Sequence, residues 1–288
     1  MTEKMRYRQR LLEMRAQKDI LIASHRGTIG VAIADNTIES FDIALNQGAA
    51  ILEMDIAMTL DDQLFVIHDG MESRLLHTDQ NVQSMTGEQL LALRYYSLNH
   101  TRLQRGVCRF DDVLEHLKNR CMINLDRCWV HPNEARKWSF IFDAVSRHEM
   151  EDQVIFKSPD ADKYVKVFSG QSKPYLYMPM AKKPADFEKF IQAGVNVISV
   201  EVLFDKSTSP MADPAVYEQL RNRHILVWGN AITLGGDAVL AGYHDDNTSL
   251  TGNPDQGWGW FAEQHFDIVQ TDWVPAMSEY YTQKGYRV

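Results

Sequence analysis

Cysteine is scarce in this chain: Cys108, Cys121 and Cys128 are the only 3 among 288 residues, and none forms a CxxC pair. An odd set without a CxxC pair suits reduced thiols better than a disulfide framework or a zinc site. No stretch reaches the ~18 uninterrupted apolar residues of a spanning helix, so no transmembrane segment is expected. The opening MTEKMRYRQRLLEMRAQKD lacks the apolar core of a secretory signal, and the expected location is cytoplasmic. Basic residues are outnumbered, 30 Lys and Arg against 39 Asp and Glu; the net charge of −9 argues against nucleic acid as a partner. Proline and glycine nowhere gather into a linker and no repeat is visible, so a single domain over 1–288 is expected. Also missing are GxxxxGK[ST], GxSxG and HExxH, which removes P-loop, serine esterase and zinc protease readings. Gly257-Trp258-Gly259-x-x-Ala262 matches a dinucleotide fingerprint in letters only, because no strand precedes it.

What is present is a 44% hydrophobic composition, enough for a sizeable core, arranged in short runs rich in β-branched residues. Nine such runs read as strands: Ile20–Ser24, Ile51–Met58, Leu64–Ile67, Met122–Leu125, Val154–Phe156, Tyr175–Met178, Val197–Leu203, Ile225–Trp228 and Ile268–Gln270. Helix-period stretches alternate with them, among them Glu39–Gln47, Phe110–Lys118, Asn133–His148, Pro184–Ala193 and Pro214–Arg223. Sustained alternation predicts a parallel sheet with helices outside, closed as a (β/α)₈ TIM barrel. Nine runs exceed the barrel's eight places by one, and the surplus run is expected among the last four. Two stretches, 70–106 and 235–259, break the rhythm and are expected as loop insertions over the cleft; residues 1–18 are expected as a helical extension, a solvated cap on the barrel bottom.

Side chains two apart on a strand share a face, so in ILEMDIAMT the carboxylates of Glu53 and Asp55 project together. Like charges held side by side need a partner, either an oxygen-ligated Mg2+ or Ca2+ or an ion-paired Arg or Lys. The first run leads into Ser24-His25-Arg26-Gly27 and the third into His68-Asp69-Gly70, placing two histidines beside the acid pair at strand ends. Two imidazoles, an Arg fork and a carboxylate-bound cation are a set that fits phosphoryl chemistry.

The succession His25-Arg26-Gly27, Asp35-Asn36-Thr37, Glu53-x-Asp55 and His68-Asp69 resembles the HRG, ENT, ExD and HD signature of the glycerophosphodiester phosphodiesterases. Those enzymes are barrels of the phosphatidylinositol-phospholipase C type, and the late Val227-Trp228 and Thr271-Asp272 resemble their closing segments. The resemblance implies His25 and His68 as the acid–base pair, Arg26 as a phosphate contact, Asn36 beside the phosphate or metal, and Glu53 and Asp55 as ligands of one divalent cation. The implied substrate is a small phosphodiester, cleaved to a phosphomonoester and an alcohol.

The chain departs from that pattern in MINLDRCW, where the family's ExK would fall: Asp126 stands as the third acid, as in the more distant sphingomyelinases D, and Cys128 replaces the lysine. Lys157, ending VIFKSP, is the candidate substitute cation, and Glu201 a candidate contact for a substrate hydroxyl or cationic head group. Trp228 reads as a wall of the cleft or as core. The altered strand leaves lysophospholipase D or cyclising lyase activity open, and behind these a silent phosphate-ester-binding relative or a metal-dependent barrel lyase or aldolase.

Overall fold

The computed structural model describes residues 2–30, 32–235 and 238–288. Its strands are β1 (Leu21–His25), β2 (Ile51–Met58), β3 (Leu64–Val66), β4 (Cys108–Arg109), β5 (Met122–Asp126), β6 (Val154–Ser158), β7 (Leu176–Ala181), β8 (Ser199–Val202), β9 (Leu226–Asn230) and β10 (Ile268–Thr271). Eight of them pair in parallel in the order β1-β2-β5-β6-β7-β8-β9-β10, and β1 closes on β10 through Leu21↔Ile268 to Ser24↔Thr271. This is a TIM barrel. Both faces of its strands are buried, as the continuous apolar runs require.

The surplus strand is not among the last four runs, all of which are barrel staves; it is Leu64–Val66. β3 folds back antiparallel on the upper half of β2, with Ile56↔Val66 and Met58↔Leu64 in register, and β4 pairs antiparallel with β3. An apolar run three or four residues long carries no mark of strand direction, so the run pattern alone could not distinguish a hairpin arm from a stave. The 70–106 stretch then packs its own apolar cluster, with Leu75, Leu76, Val82, Leu90 and Tyr95 against Phe65 and Ile67. It is a small helical annexe on the hairpin.

The N-terminal helix Glu3–Gln17 starts from Thr2, whose hydroxyl accepts from the Met5 amide. Tyr7 and Leu11 on its inner face join the cluster that fills the lower barrel, with Leu21, Ile51, Met122, Leu226 and Ile268. The cap is thus an apolar plug as well as a solvated helix. Leu11 is fully buried, so Leu11→Ala should cost about 2–5 kcal/mol through lost transfer and a residual cavity. Denaturant unfolding reads this, and a loss below about 0.5 kcal/mol, the scale of surface substitutions, would mean the plug contributes nothing.

Candidate active site

At the C-terminal end of the barrel, β1 finishes in a tight turn. Arg26 (φ 59°) and Gly27 (φ 77°) both adopt left-handed backbone. A Cβ at Gly27 would lie 2.4 Å from Ser40 Oγ, so only glycine fits there. The turn is held by the Arg26 amide on the Glu53 carbonyl at 3.1 Å and by the Asn36 amide on the Arg26 carbonyl at 2.9 Å. Thr37 and Ser40 then form a reciprocal capping box that starts helix Ile38–Asn46.

This frame sets the acids. Glu53 and Asp55 both point into the upper barrel and are about 1% exposed. Asn36 donates from Nδ2 to Asp55 Oδ2 (2.9 Å) and accepts the Asp55 amide (3.0 Å), so this fully buried amide lies beneath Asp55 with both polar groups engaged by it. Arg26 Nε lies 2.7 Å from Asp55 Oδ2, and Arg74, from the annexe, donates to the buried Asp35 at 3.0 Å. Glu53 Oε2 accepts the Arg26 amide at 3.1 Å, whereas Glu53 Oε1 is buried with no hydrogen-bond partner. Burial, then the neighbouring Asp55 charge, push the Glu53 carboxyl up to about 8.

The histidines arrive by different routes. His25 ends β1; its Nδ1 is 2.7 Å from Asp272 Oδ1 and its Nε2 is 4.0 Å from Glu53 Oε2. Burial works against its charge, but the Asp272 hydrogen bond and the carboxylates of Glu53 and Asp272 outweigh it, and its pKa is raised. His68 follows the antiparallel β3, not a barrel stave. The Ile67 amide donates to the Asp55 carbonyl at 3.0 Å, which brings His68 back down to the level of Asp55. Burial lowers its pKa, and its Nδ1 has no partner. Asp69 points away and is pinned by Arg127 Nε at 2.6 Å and Gln83 Nε2 at 2.9 Å.

On the adjacent stave β5, Asp126 stands beside Asp55 in register. Lys157 is 3% exposed, with Nζ 2.5 Å from Asp126 Oδ2 and 3.4 Å from Glu201 Oε2. Glu201 in turn accepts from Asn230 Nδ2 at 2.8 Å. Lys157 thus places a buried positive charge inside the barrel beside Asp126, while Cys128 is wholly buried, with its thiol pushed up by burial. Trp228 is not a cleft wall: it is 0% exposed in the lower-barrel cluster and donates to Gln270 at 3.2 Å. It precedes the rim residue Asn230 by two positions, so it points inward one layer below the mouth.

The donor set suits a hard cation in its chemistry, with three carboxylates and one buried oxygen lacking any partner. As the side chains stand, Asp55 and Asp126 are engaged by Arg26 and Lys157, and among the described residues no three metal-ligating side chains form a closed cluster. A groove of about 580 Å³ beside the N-terminal helix, lined by Arg10, Glu13 and Asp152 among others, is at the opposite end and holds none of these groups. A second, of about 480 Å³, lies at the mouth end beside β7 and β8, between Leu203, Phe204 and Pro210 and the 238–240 segment. Here the described part of the expected 235–259 insertion, from residue 238 on, reaches the rim, with the Phe204 amide on the Leu240 carbonyl at 3.0 Å; residues 236 and 237 lie outside the described residues.

Sequence reasoning missed three groups. Asp272 was visible only as part of a closing motif, 247 residues from the histidine it holds. Arg127, beside Asp126, has a left-handed φ of 56° that turns it off the strand and onto Asp69. Lys137, in the first turn of helix Glu134–Arg147 and fully buried, donates to the carbonyls of Ile56, Arg127 and Val130 and ties the loop after β5 to the end of β2.

Comparison with known proteins agrees with this fold. A glycerophosphodiester phosphodiesterase of Bacillus altitudinis is 24% identical over 239 residues, 78% of this chain and 95% of that one. The crystal structure of a glycerophosphoryl diester phosphodiesterase from Parabacteroides distasonis superposes with a TM-score of 0.75 at 17% identity, covering 93% of this chain and 88% of that one. An Oleispira antarctica phosphodiesterase, solved with its product sn-glycerol-3-phosphate, gives a TM-score of 0.64 at 14% identity, over 90% and 95% of the two chains. A domain of unknown function matches residues 177–281, and the pattern of the glycerophosphoryl diester phosphodiesterase family matches residues 25–228. The chain belongs to the glycerophosphoryl diester phosphodiesterase family, a family of phosphoric diester hydrolases.

Proposed function

We propose that this protein hydrolyses a small glycerophosphodiester to a phosphomonoester and an alcohol, with His25 and His68 moving the protons. The observation that carries the reading is the pair of unlike imidazoles around one acid group: His25 is held by Asp272 and His68 has a free Nδ1 beside Asp55. Asp272 fixes the His25 tautomer with the proton on Nδ1 and favours its charged form, so His25 is the donor to the leaving alcohol. His68, kept neutral by burial, takes the proton of the attacking water, or of a substrate hydroxyl whose cyclic ester a water then opens. Arg26 and Lys157 supply positive charge to the phosphate side of the site.

Glu53, Asp55 and Asp126 would hold one divalent cation, Mg2+ or Ca2+, with Glu53 Oε1 as the oxygen still without a partner. Bound there, it would offset charge on the phosphoryl oxygens. The apolar groove at Leu203, Phe204 and Pro210, at the same end, supports room for the alcohol moiety.

The test is phosphorus NMR of the purified protein with glycerophosphodiesters, lysophospholipids and sugar phosphodiesters, each with Mg2+, Ca2+ or chelator. Cleavage of a glycerophosphodiester that stops in chelator and returns with one cation is expected. Turnover unaffected by chelator would remove the cation from the reading, and a persistent cyclic product would replace hydrolysis by a lyase step. No cleavage at all, with phosphate esters still bound, would leave a silent binding protein.

A further inference from the structure

We propose that Asp246, contributed by the 235–259 loop, is a positioning residue for His25 that acts through the backbone of Asp272. The inference rests on the proposed role of the His25 imidazole and names what fixes its partner. Asp272 lies just past the end of β10, beyond the last ladder pair, and its side chain is 32% exposed. Nothing in the barrel ladder fixes it, yet its carboxylate must stay within hydrogen-bond reach of the His25 ring.

Asp246 supplies the missing restraint. The residue is 2% exposed at the start of helix Asp246–Thr251, with its own amide on the Ala231 carbonyl at 2.7 Å. Its Oδ2 accepts the Asp272 amide at 2.9 Å. Its Oδ1 accepts the Thr271 hydroxyl at 2.6 Å and the Trp258 indole N–H at 2.8 Å. The Thr271 oxygen accepts the Trp273 amide at 2.9 Å, so the amides on both sides of the Asp272 carbonyl lead back to one carboxylate. Asp272 can then aim Oδ1 at His25 Nδ1, 2.7 Å away. A carboxylate sunk among apolar neighbours costs stability, and burial pushes Asp246 up to about 7 against these three donors. An apolar side chain would pack the loop without that cost, but it could not accept the Asp272 amide.

The discriminating variant is Asp246→Asn in the full chain. Its amide oxygen still serves Thr271 and Trp258, while its NH₂ group opposes the Asp272 N–H. With a glycerophosphodiester that the unmodified protein cleaves, kcat should fall about 10–100-fold with KM within about threefold, the signature of a displaced catalytic group rather than lost binding. Nitrogen NMR of histidine-labelled protein, with His25 assigned through His25→Gln, should show a smaller population protonated at His25 Nδ1. Thr271→Val, which removes one donor and keeps the carboxylate, should move both readouts in the same direction by less, and it carries the test if Asp246→Asn does not fold. A folded Asp246→Asn with unchanged kcat and His25 signals overturns the proposal, as does a rise in KM alone; for Thr271→Val, unchanged readouts do the same. If the unmodified protein cleaves none of the esters, the hydrolase reading fails, while the His25 signals still decide the positioning.

Discussion

His25→Ala is expected to lower kcat by about 10²–10⁴-fold, the range for loss of a positioned general acid. The substitution removes the proton donor and leaves Asp272 without its ring partner. It should leave the barrel intact, because the β1 ladder is made by backbone groups and the ring sits at the rim, 14% exposed. KM should change little, since the proposed contacts to the phosphate are made by Arg26, Lys157 and the cation that the acids would hold. Asp272→Asn is the informative companion: the imidazole stays, but it faces a neutral amide that can donate as well as accept, so neither its tautomer nor its charged form is fixed and its rate should lie between those of the parent and His25→Ala. Initial rates by phosphorus NMR decide this. A His25→Ala protein within tenfold of the parent would shift the donor role elsewhere.

Lys157→Ala has the largest expected effect on stability. Lys157 Nζ is shared by Asp126 and Glu201, with Glu53 close enough to add to the field. Removing a buried partner leaves charges uncompensated, which costs about 3–5 kcal/mol, whereas an exposed lysine pair would cost less than about 1 kcal/mol. The deficit should appear in denaturant unfolding at neutral pH. If Glu53, Asp55 and Asp126 hold a cation, millimolar Mg2+ or Ca2+ should stabilise the variant more than the parent, because Asp126 is then free to ligate. An unchanged unfolding midpoint would show that Lys157 is not the counter-charge of these acids. Equal cation responses in parent and variant would place the cation away from Asp126.

The sequence is most informative where chemistry follows local periodicity. Alternation along a strand put Glu53 and Asp55 on one face, and the apolar runs located all eight staves. It is least informative where geometry comes from elsewhere in the chain. The direction of β3 depends on the turn that folds it back onto β2, so His68 was expected past a barrel stave and reaches the site from a hairpin. Trp228 differs from a rim residue only by one strand layer, a distance no motif encodes. Lys157 could be nominated as the missing cation because it ends a strand beside Asp126, but the sharing with Glu201 depends on the order of staves around the barrel.

The closure of β1 on β10 also bears on how the protein comes into being at the ribosome. His25 is made early, with Glu53 and Asp55 soon after, yet the carboxylate that orients His25 is 247 residues downstream. A nascent or nicked chain can hold the early motifs and still lack both the last stave and the hydrogen bond that aims the imidazole. Such long-range closure is slow to nucleate, because the loop entropy is spent before the contact forms. Turnover therefore reports more than the presence of the early motifs: it appears only once the two distant ends of the barrel have met.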